Sequence, residues 1–170
     1  RVVPVVAQQL ALARVRRRQR MGYLTDAVSS EYLARSIVEA IAADVYREGI
    51  SLKEIGGHSV LENTMSVVFH ATEAFHALGT PLNTLDVRTL TVEQSNSSMI
   101  LGEVAVLKLI RRLFSGMNPE VEMTGVLTSG GFANTAPLLG YVERVDVARQ
   151  DRTVLAVLQG YIPNQGNGWE

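Results

Sequence analysis

The clearest pattern of apolar and polar positions lies between residues 30 and 47. Apolar side chains recur there at three- and four-residue spacing, at Tyr32, Leu33, Ile37, Ile41 and Val45. This spacing places them along one side of an α-helix, so it predicts a helix over residues 30–47 that buries this side on a sheet. Thr25 or Asp26 offers one N-cap, and Ser29 or Ser30 offers a second start before Glu31. Gly49 ends the helix.

From residue 85 onward the pattern changes to short apolar runs, which are typical of strands. The predicted strands cover residues 87–92, 99–101, 104–110, 138–147 and 153–162. Between the third and fourth strands, Asn118-Pro119 opens a helix and Gly130-Gly131 closes it, because proline suits an early helical position and glycine suits the end. The order β-β-β-α-β-β predicts an antiparallel sheet with one inserted helix.

The remaining segments carry weaker patterns. Residues 2–6 form a β-branched run interrupted by Pro4, which predicts an edge strand. Residues 7–20 contain helix formers, but they also contain the strand-like alternation ALARVRR. Residues 60–77 contain a β-branched run, which favours a strand, and the sequence AFHAL, which favours a helix. Both of these segments stay open between helix and strand.

A turn at Thr80-Pro81-Leu82-Asn83 separates the helical pattern of the first half from the strands of the second. It predicts two units, residues 1–84 and residues 85–170. Taken together, a helix packed on a sheet followed by an antiparallel sheet with one helix predicts the α+β fold class.

Composition narrows the function classes. The 170 residues are 46% hydrophobic and 19% charged with a net charge of -1, which indicates a folded domain without a basic field for nucleic acid. Cysteine is absent; this excludes disulfides and zinc–thiolate sites and fits a cytoplasmic protein. No apolar run approaches the ~18 residues of a membrane span. His58, His70 and His76 lack the spacing of a helical metal pair, so no metal site is predicted.

The basic cluster near the start has two interpretations. Its members are Arg14, Arg16, Arg17, Arg18 and Arg20. The cluster fits a patch for phosphate or for an acidic partner, but a solvated face or a salt bridge to the next helix is the more common role of such arginines. Aromatic residues are not interleaved with them, which argues against nucleic acid as the partner.

Lys108 is the strongest candidate for chemistry. It stands in the apolar run VLKLI, which predicts a strand buried on both faces. A buried amine costs several kcal/mol unless a carboxylate or a phosphate neutralises it. Glu122 on the following helix is the preferred partner because it shares a helical stripe with Val126, and Glu120 is the alternative. A strand lysine oriented by a helix glutamate is how protein-kinase-like folds hold nucleotide phosphates.

Two further segments fit the same arrangement. The polar turn at residues 93–98 is rich in small residues whose N–H and hydroxyl groups can approach phosphate oxygens. It has no glycine and no Walker-type lysine, so a plain hairpin loop is the simpler interpretation. Gly160 and Tyr161 end the last strand, where a kinase-like fold places the hinge that meets adenine and leads to the large lobe.

The segments VEQSNSSMILGEVAVLKLIRRLFSGMNPEVE and LAVLQGYIPNQGNGW resemble the maltokinase family, in particular the kinase domains fused to trehalose synthase or encoded beside it. The earlier segment LARVRRRQRMGYLTDAVSSEYLARSIVEAI resembles the N-terminal cap subdomain of that family, so the resemblance covers most of the chain. It implies a protein-kinase-like small lobe over residues 85–170, preceded by a partial α/β cap subdomain over residues 1–84.

The resemblance also implies an activity and a set of residues. Maltokinases use ATP and Mg2+ to convert maltose to maltose 1-phosphate, which feeds α-glucan synthesis. Lys108 would contact the phosphates and Glu122 would pair with it. The phosphate loop would be lined by Ser95, Asn96, Ser97 and Ser98, and the hinge would be formed by Gln159, Gly160, Tyr161 and Ile162.

The large lobe of that family is expected to be absent, because no segment corresponds to its catalytic aspartate, its magnesium-binding aspartate or its sugar pocket. We therefore expect an N-terminal fragment of a sugar kinase, without catalytic residues, with weak ATP binding and no measurable kinase activity of its own. One alternative is a fragment of an aminosugar (glucosamine) kinase, since these kinases resemble maltokinases in the cap and small lobe. Another is a non-catalytic docking module for trehalose synthase.

Overall fold

The computed structural model describes residues 11–55, 58–90 and 96–163. Within these ranges the chain forms nine strands and three α-helices. In chain order they are β1 (Ala11–Arg17), β2 (Arg20–Thr25), α1 (Glu31–Ala42), β3 (Tyr46–Ile55), β4 (His58–Ala71), α2 (Glu73–His76), β5 (Val87–Thr89), β6 (Asn96–Leu101), β7 (Ala105–Ile110), α3 (Pro119–Ser129), β8 (Leu138–Asp146) and β9 (Asp151–Gly160). None of these helices has the length and apolar character needed to cross a membrane.

Seven of the strands form one antiparallel sheet in the order β3-β4-β8-β9-β7-β6-β5, while β1 and β2 pair only with each other. The second half of the chain contributes β5 to β9 with α3 between β7 and β8, as the order β-β-β-α-β-β predicted. Strands β3 and β4 come from the first half and join the sheet where β4 pairs with β8, for example at Phe69 opposite Val142. The sheet therefore continues across the predicted boundary at residues 84 and 85.

The predicted helix over residues 30–47 is too long. Helix α1 ends at Ala42, because Asp44 takes a left-handed backbone conformation with φ of 45°. Its carboxylate accepts the N–H of Ala71 at 2.7 Å, and the Val45 carbonyl accepts the N–H of Phe69 at 2.9 Å. Pairing with β4 thus converts the last predicted turn of the helix into the approach to β3.

The buried side of α1 also differs from the prediction. Ala34, Val38 and Ile41 are the fully buried residues, whereas Tyr32 is 79% exposed. The small Ala34 lies four residues before Val38 and seven before Ile41, so these three share one face of the helix. They pack with Leu107, Leu158 and other sheet residues in the main hydrophobic core.

The structure resolves both open segments in the ranges it describes. Residues 11–17 and 20–25 form the β1–β2 hairpin, so this part of the basic cluster lies on strands. Residues 60–77 are strand as far as Ala71 and then form the short helix α2, whose N-cap Thr72 accepts the N–H of Phe75. The predicted edge strand at residues 2–6 lies outside the described residues.

Gly140 permits the close contact between α1, β4 and β8. A Cβ atom at this position would lie 2.5 Å from the carbonyl oxygen of His70 and 2.7 Å from Cγ2 of Ile41. Neither neighbour can move freely, because the first belongs to a strand backbone and the second to the buried face of α1. Only glycine fits here without displacing one of these two elements.

We expect Gly140→Ala to lower the free energy of unfolding by about 1–3 kcal/mol, because overpacking forces the core to shift. Gly125→Ala in α3 is the matched control, since its Cβ would lie 3.5 Å from Cδ2 of Leu138, an ordinary contact. Alanine favours a helix, so this control should gain up to about 1 kcal/mol. Urea unfolding followed by circular dichroism measures both, and equal stability of the two variants would contradict the close approach.

Candidate functional site

Lys108 lies near the middle of β7, between β6 and β9, where it is opposite Ser98 on one side and Val157 on the other. The neighbouring Leu107 points into the main core and is fully buried. Lys108 lies on the other face of the sheet, and its side chain keeps 31% of its exposure. The prediction of burial on both faces is therefore correct for one face only, and the amine sits at a partly open position.

The Lys108 amine is neutralised by Glu120. Its Nζ donates to Glu120 Oε1 at 2.5 Å, and the Glu120 side chain is 30% exposed. The start of α3 holds this carboxylate, because Asn118 Oδ1 accepts the N–H groups of Glu120 at 2.9 Å and Val121 at 3.4 Å. Since water reaches both partners, the pair adds little to stability and mainly fixes the position of the amine.

The preferred pairing of Lys108 with Glu122 is wrong, and the alternative, Glu120, is the observed partner. Residues two apart on a helix point about 200° away from each other. Because α3 starts at Pro119, Glu120 faces β7 and Glu122 is turned to the other side, where it is exposed. Val126, expected near the sheet, is 68% exposed for the same reason.

The four residues expected in the phosphate loop do not form a loop together in the described structure. Ser95 lies outside the described residues, while Asn96, Ser97 and Ser98 belong to β6 and not to a turn. Pairing of β6 with β7 along its whole length, from Asn96 opposite Ile110 onward, draws these polar residues into the sheet. Ser98 shares the face of Lys108, whereas Ser97 lies on the opposite face.

The buried hydroxyl of Ser97 serves the structure of β6 and β7. It lies 2.5 Å from Nε of Arg111, which donates a hydrogen bond to it. Arg111 follows β7 directly, so this bond ties the end of one strand to its neighbour. The role of Ser97 observed here is therefore to anchor an arginine at the sheet edge.

The predicted hinge follows β9, which ends at Gly160 and not at Ile162. Gln159 is buried opposite Val106, on the face of Lys108. The N–H of Gly160 donates to the Pro137 carbonyl and that of Tyr161 donates to the Val104 carbonyl, each at 2.9 Å. Both donors are thus used within the chain, which leaves the N–H of the exposed Ile162 as the next donor.

The structure therefore brings Lys108, Ser98 and Gln159 onto one face of the sheet, where the Glu120 carboxylate bonds the Lys108 amine. Glu122 and Ile162 are not part of this group. A cationic amine oriented by a carboxylate, beside a hydroxyl group, is suited to hold an anionic oxygen such as that of a phosphate.

A second polar group on the same sheet was missed by the sequence analysis. Glu143 Oε1 lies 2.9 Å from His70 Nε2 and accepts a hydrogen bond from Arg152 Nη1 at 3.1 Å. The rings of His70 and Tyr141 stack with their centroids 4.4 Å apart. These residues come from β4, β8 and β9, and only the two-residue spacing of Tyr141 and Glu143 in β8 was visible as a signal.

Tyr141 has an altered acidity in this group. Burial of the phenol raises its pKa, and the nearby negative charge of Glu143 raises it further, while the Arg152 guanidinium acts in the opposite direction. The phenol therefore stays neutral at neutral pH and remains a hydrogen-bond donor.

Comparisons with known proteins find a likeness to glucosamine kinases. No protein-family model matches the chain. A curated glucosamine kinase of Mycolicibacterium smegmatis is 30% identical over 82 residues, which is 48% of this chain and 20% of that protein. The chain therefore spans about a fifth of the length of this relative.

Solved structures extend the likeness to most of the chain. A glucosamine kinase in complex with glucosamine, ADP and inorganic phosphate matches 88% of this chain and 29% of that chain, with a TM-score of 0.52 and 20% identity. A second glucosamine kinase structure, crystal form B, has a TM-score of 0.47 at 22% identity and covers 81% of this chain and 27% of its own. The chain shares its fold with part of a glucosamine kinase.

We expect Tyr141 to make the protein less stable in alkaline solution. The unfolded phenol titrates near pH ~10. In the folded protein the pKa of this phenol is higher. The neutral phenol therefore makes its full contribution to the free energy of unfolding below the unfolded pKa, and this contribution is lost as the pH rises through the folded pKa. Urea unfolding at stepwise pH should show a smaller alkaline loss for Tyr141→Phe than for the unchanged chain.

The control for this titration is Tyr32→Phe, which removes one exposed tyrosine from α1. It should follow the alkaline loss of the unchanged chain. If Tyr141→Phe and Tyr32→Phe gave the same pH dependence, the raised pKa of Tyr141 would be refuted.

Proposed function

We propose that this chain is the nucleotide-binding small lobe, with part of the cap, of an ATP-dependent sugar kinase. The observation that carries the proposal is the Lys108–Glu120 pair, in which both side chains are partly exposed. The fold shared with a glucosamine kinase that was solved with ADP and inorganic phosphate supports it. In this proposal residues 85–170 form the small lobe and residues 1–84 belong to the cap.

Each of the grouped residues then has a role toward ATP, which supplies the phosphoryl group that a kinase transfers. Lys108 would donate to phosphate oxygens, and Glu120 would keep its amine over the sheet face. Ser98 would offer its hydroxyl beside the amine. At the hinge, Gln159 and the backbone N–H of Ile162, which bonds none of the described residues, would meet the adenine edge.

Magnesium has no ligand set in the part of the chain that the structure describes, since no three His, Asp or Glu side chains converge there. In the intact kinase, Mg2+ would be held by the phosphates and by residues of the large lobe. We therefore assign the described residues to nucleotide binding and orientation, and we assign no step to the metal.

Two acceptor sugars follow from two different observations. Maltose follows from the resemblance of the EQSNSS, LKLIRRL and NPEVE segments to maltokinases. Glucosamine follows from the comparisons, because the curated relative and the solved structure that shares the fold are glucosamine kinases. The aminosugar thus rests on the comparisons, while maltose and a trehalose synthase partner rest on the resemblance alone.

We expect ADP binding to this chain to depend on Lys108 and Glu120 but not on Glu122. Lys108→Met should weaken binding about tenfold, equivalent to about 1.4 kcal/mol, because the phosphates lose a charged donor. Glu120→Gln should weaken it less, and Glu122→Gln, which removes the same charge two residues away, should leave it unchanged. Isothermal titration with ADP measures all three, and equal affinities for Lys108→Met and the unchanged chain would contradict the proposal.

We expect phosphoryl transfer only from a longer protein that includes a large lobe. The 170-residue chain should not convert ATP to ADP with either glucosamine or maltose present. In the longer protein, Lys108→Met should reduce kcat on the order of a hundredfold, because a charge-stabilising donor is lost. Steady phosphorylation of either sugar by the 170-residue chain alone would show that the assignment as a small lobe is wrong.

A further inference from the structure

A separate cleft lies beside the first turn of α3, and Lys108 and Glu120 are not among its lining residues. Its volume is about 290 Å³. It is bounded by the loop before α3, by the first turn of the helix and by strands β8 and β9. The residues used below are Val121, Glu122, Tyr141, Glu143, Arg152 and Val154, all of which line it.

The cleft is held open by bonds within the chain. The N–H of Gly116 donates to the Arg152 carbonyl at 2.8 Å, and the Ser115 hydroxyl donates to Asp151. These contacts tie the loop before α3 to β9, and the Asn118 cap fixes where the helix begins. The walls are therefore preformed, as is usual for small-molecule sites.

Glu143 supplies a largely buried carboxylate that has one oxygen free to accept a hydrogen bond. Its side chain is only 6% exposed, and its Oε1 atom receives both the His70 and the Arg152 contacts. Among the residues that the structure describes, its Oε2 atom accepts no hydrogen bond. This oxygen is open to water, since Arg144 Nε is the side-chain atom that is fully buried without a partner in the described residues. Because Glu143 lines the cleft, its Oε2 atom is free to accept a hydrogen bond from a ligand.

The charges around the cleft favour a cationic ligand. Glu122 and Glu143 are both acidic, and Arg152 is the single base among the lining residues, where it already bonds Glu143. The helix start does not attract an anion, because the N–H groups of Glu120 and Val121 are bonded to Asn118. The site thus carries one net negative charge.

We propose that this cleft binds a small organic molecule that carries an ammonium group next to hydroxyl groups. The ammonium group would donate to Glu143 and would be neutralised by Glu122. The neutral Tyr141 phenol, whose hydroxyl has no hydrogen-bond partner in the described residues, would bond a ligand hydroxyl. Val121 and Val154 would contact the carbon skeleton. The site lies on the same face of the sheet as Lys108, because Lys108 is opposite Val157 and Val157 is opposite Tyr141. It shares no lining residue with the Lys108 group and does not depend on the proposed kinase function.

The test uses matched probes on the full 170-residue chain labelled with nitrogen-15. Serinol, an amine with two hydroxyl groups, should shift the backbone signals of Tyr141, Glu143 and Val154. Glycerol, its neutral counterpart, should shift them at least tenfold more weakly. Inorganic phosphate tests whether the cleft binds an anion instead of a cation. Equal binding of serinol and glycerol, or binding of phosphate without serinol, would overturn the proposal.

Variants locate the binding to the cleft. Glu122 lies at an exposed position, so Glu122→Gln keeps the fold, and it should weaken serinol binding about tenfold. Glu103 is an exposed carboxylate in the turn between β6 and β7, so Glu103→Gln should leave serinol binding unchanged. Tyr141→Phe should reduce the preference for serinol over ethylamine, which lacks hydroxyl groups. Unchanged serinol binding in both Glu122→Gln and Tyr141→Phe would refute the site even if the less conservative Glu143→Gln did not fold.

Discussion

The amine of Lys108 constrains the whole second half of the chain. It stands on an interior strand, and a carboxylate reaches it on the same face of the sheet. That carboxylate belongs to the first turn of α3, and the Asn118 cap sets where the turn begins. Moving the helix start by one residue would rotate Glu120 by about 100° and leave the amine unpaired. Strand and helix are therefore adjusted to each other at a single contact.

Local signals were sufficient to predict much of this arrangement. The strands after residue 85 are short apolar runs between turn residues, and α3 is framed by Asn118-Pro119 and Gly130-Gly131, so their order could be predicted without tertiary information. The partner of Lys108 required more, because Glu120 and Glu122 differ only in which side of the helix they occupy. Helix propensity locates the start of a helix to within a few residues only. To choose between these two carboxylates, one must know the residue at which α3 begins.

Contacts between distant segments explain the errors. Periodicity extended α1 to residue 47, yet pairing with β4 took over after Ala42, and β4 itself had an ambiguous pattern. The group formed by His70, Glu143 and Arg152 joins three strands, and a shift in register between Val142 and Glu143 decides which side chains meet. A bulge of this kind leaves no periodic trace in the sequence, so this group could be found only from the coordinates.

The two edges of the large sheet differ in a way that bears on assembly. At one edge β5 is three residues long, which offers little backbone for a neighbouring molecule to pair with. At the other edge β3 runs for ten residues and pairs only with β4 among the described strands. A strand added from another segment or another chain would therefore extend the sheet at β3, so this edge is where β-augmentation or unwanted aggregation would begin.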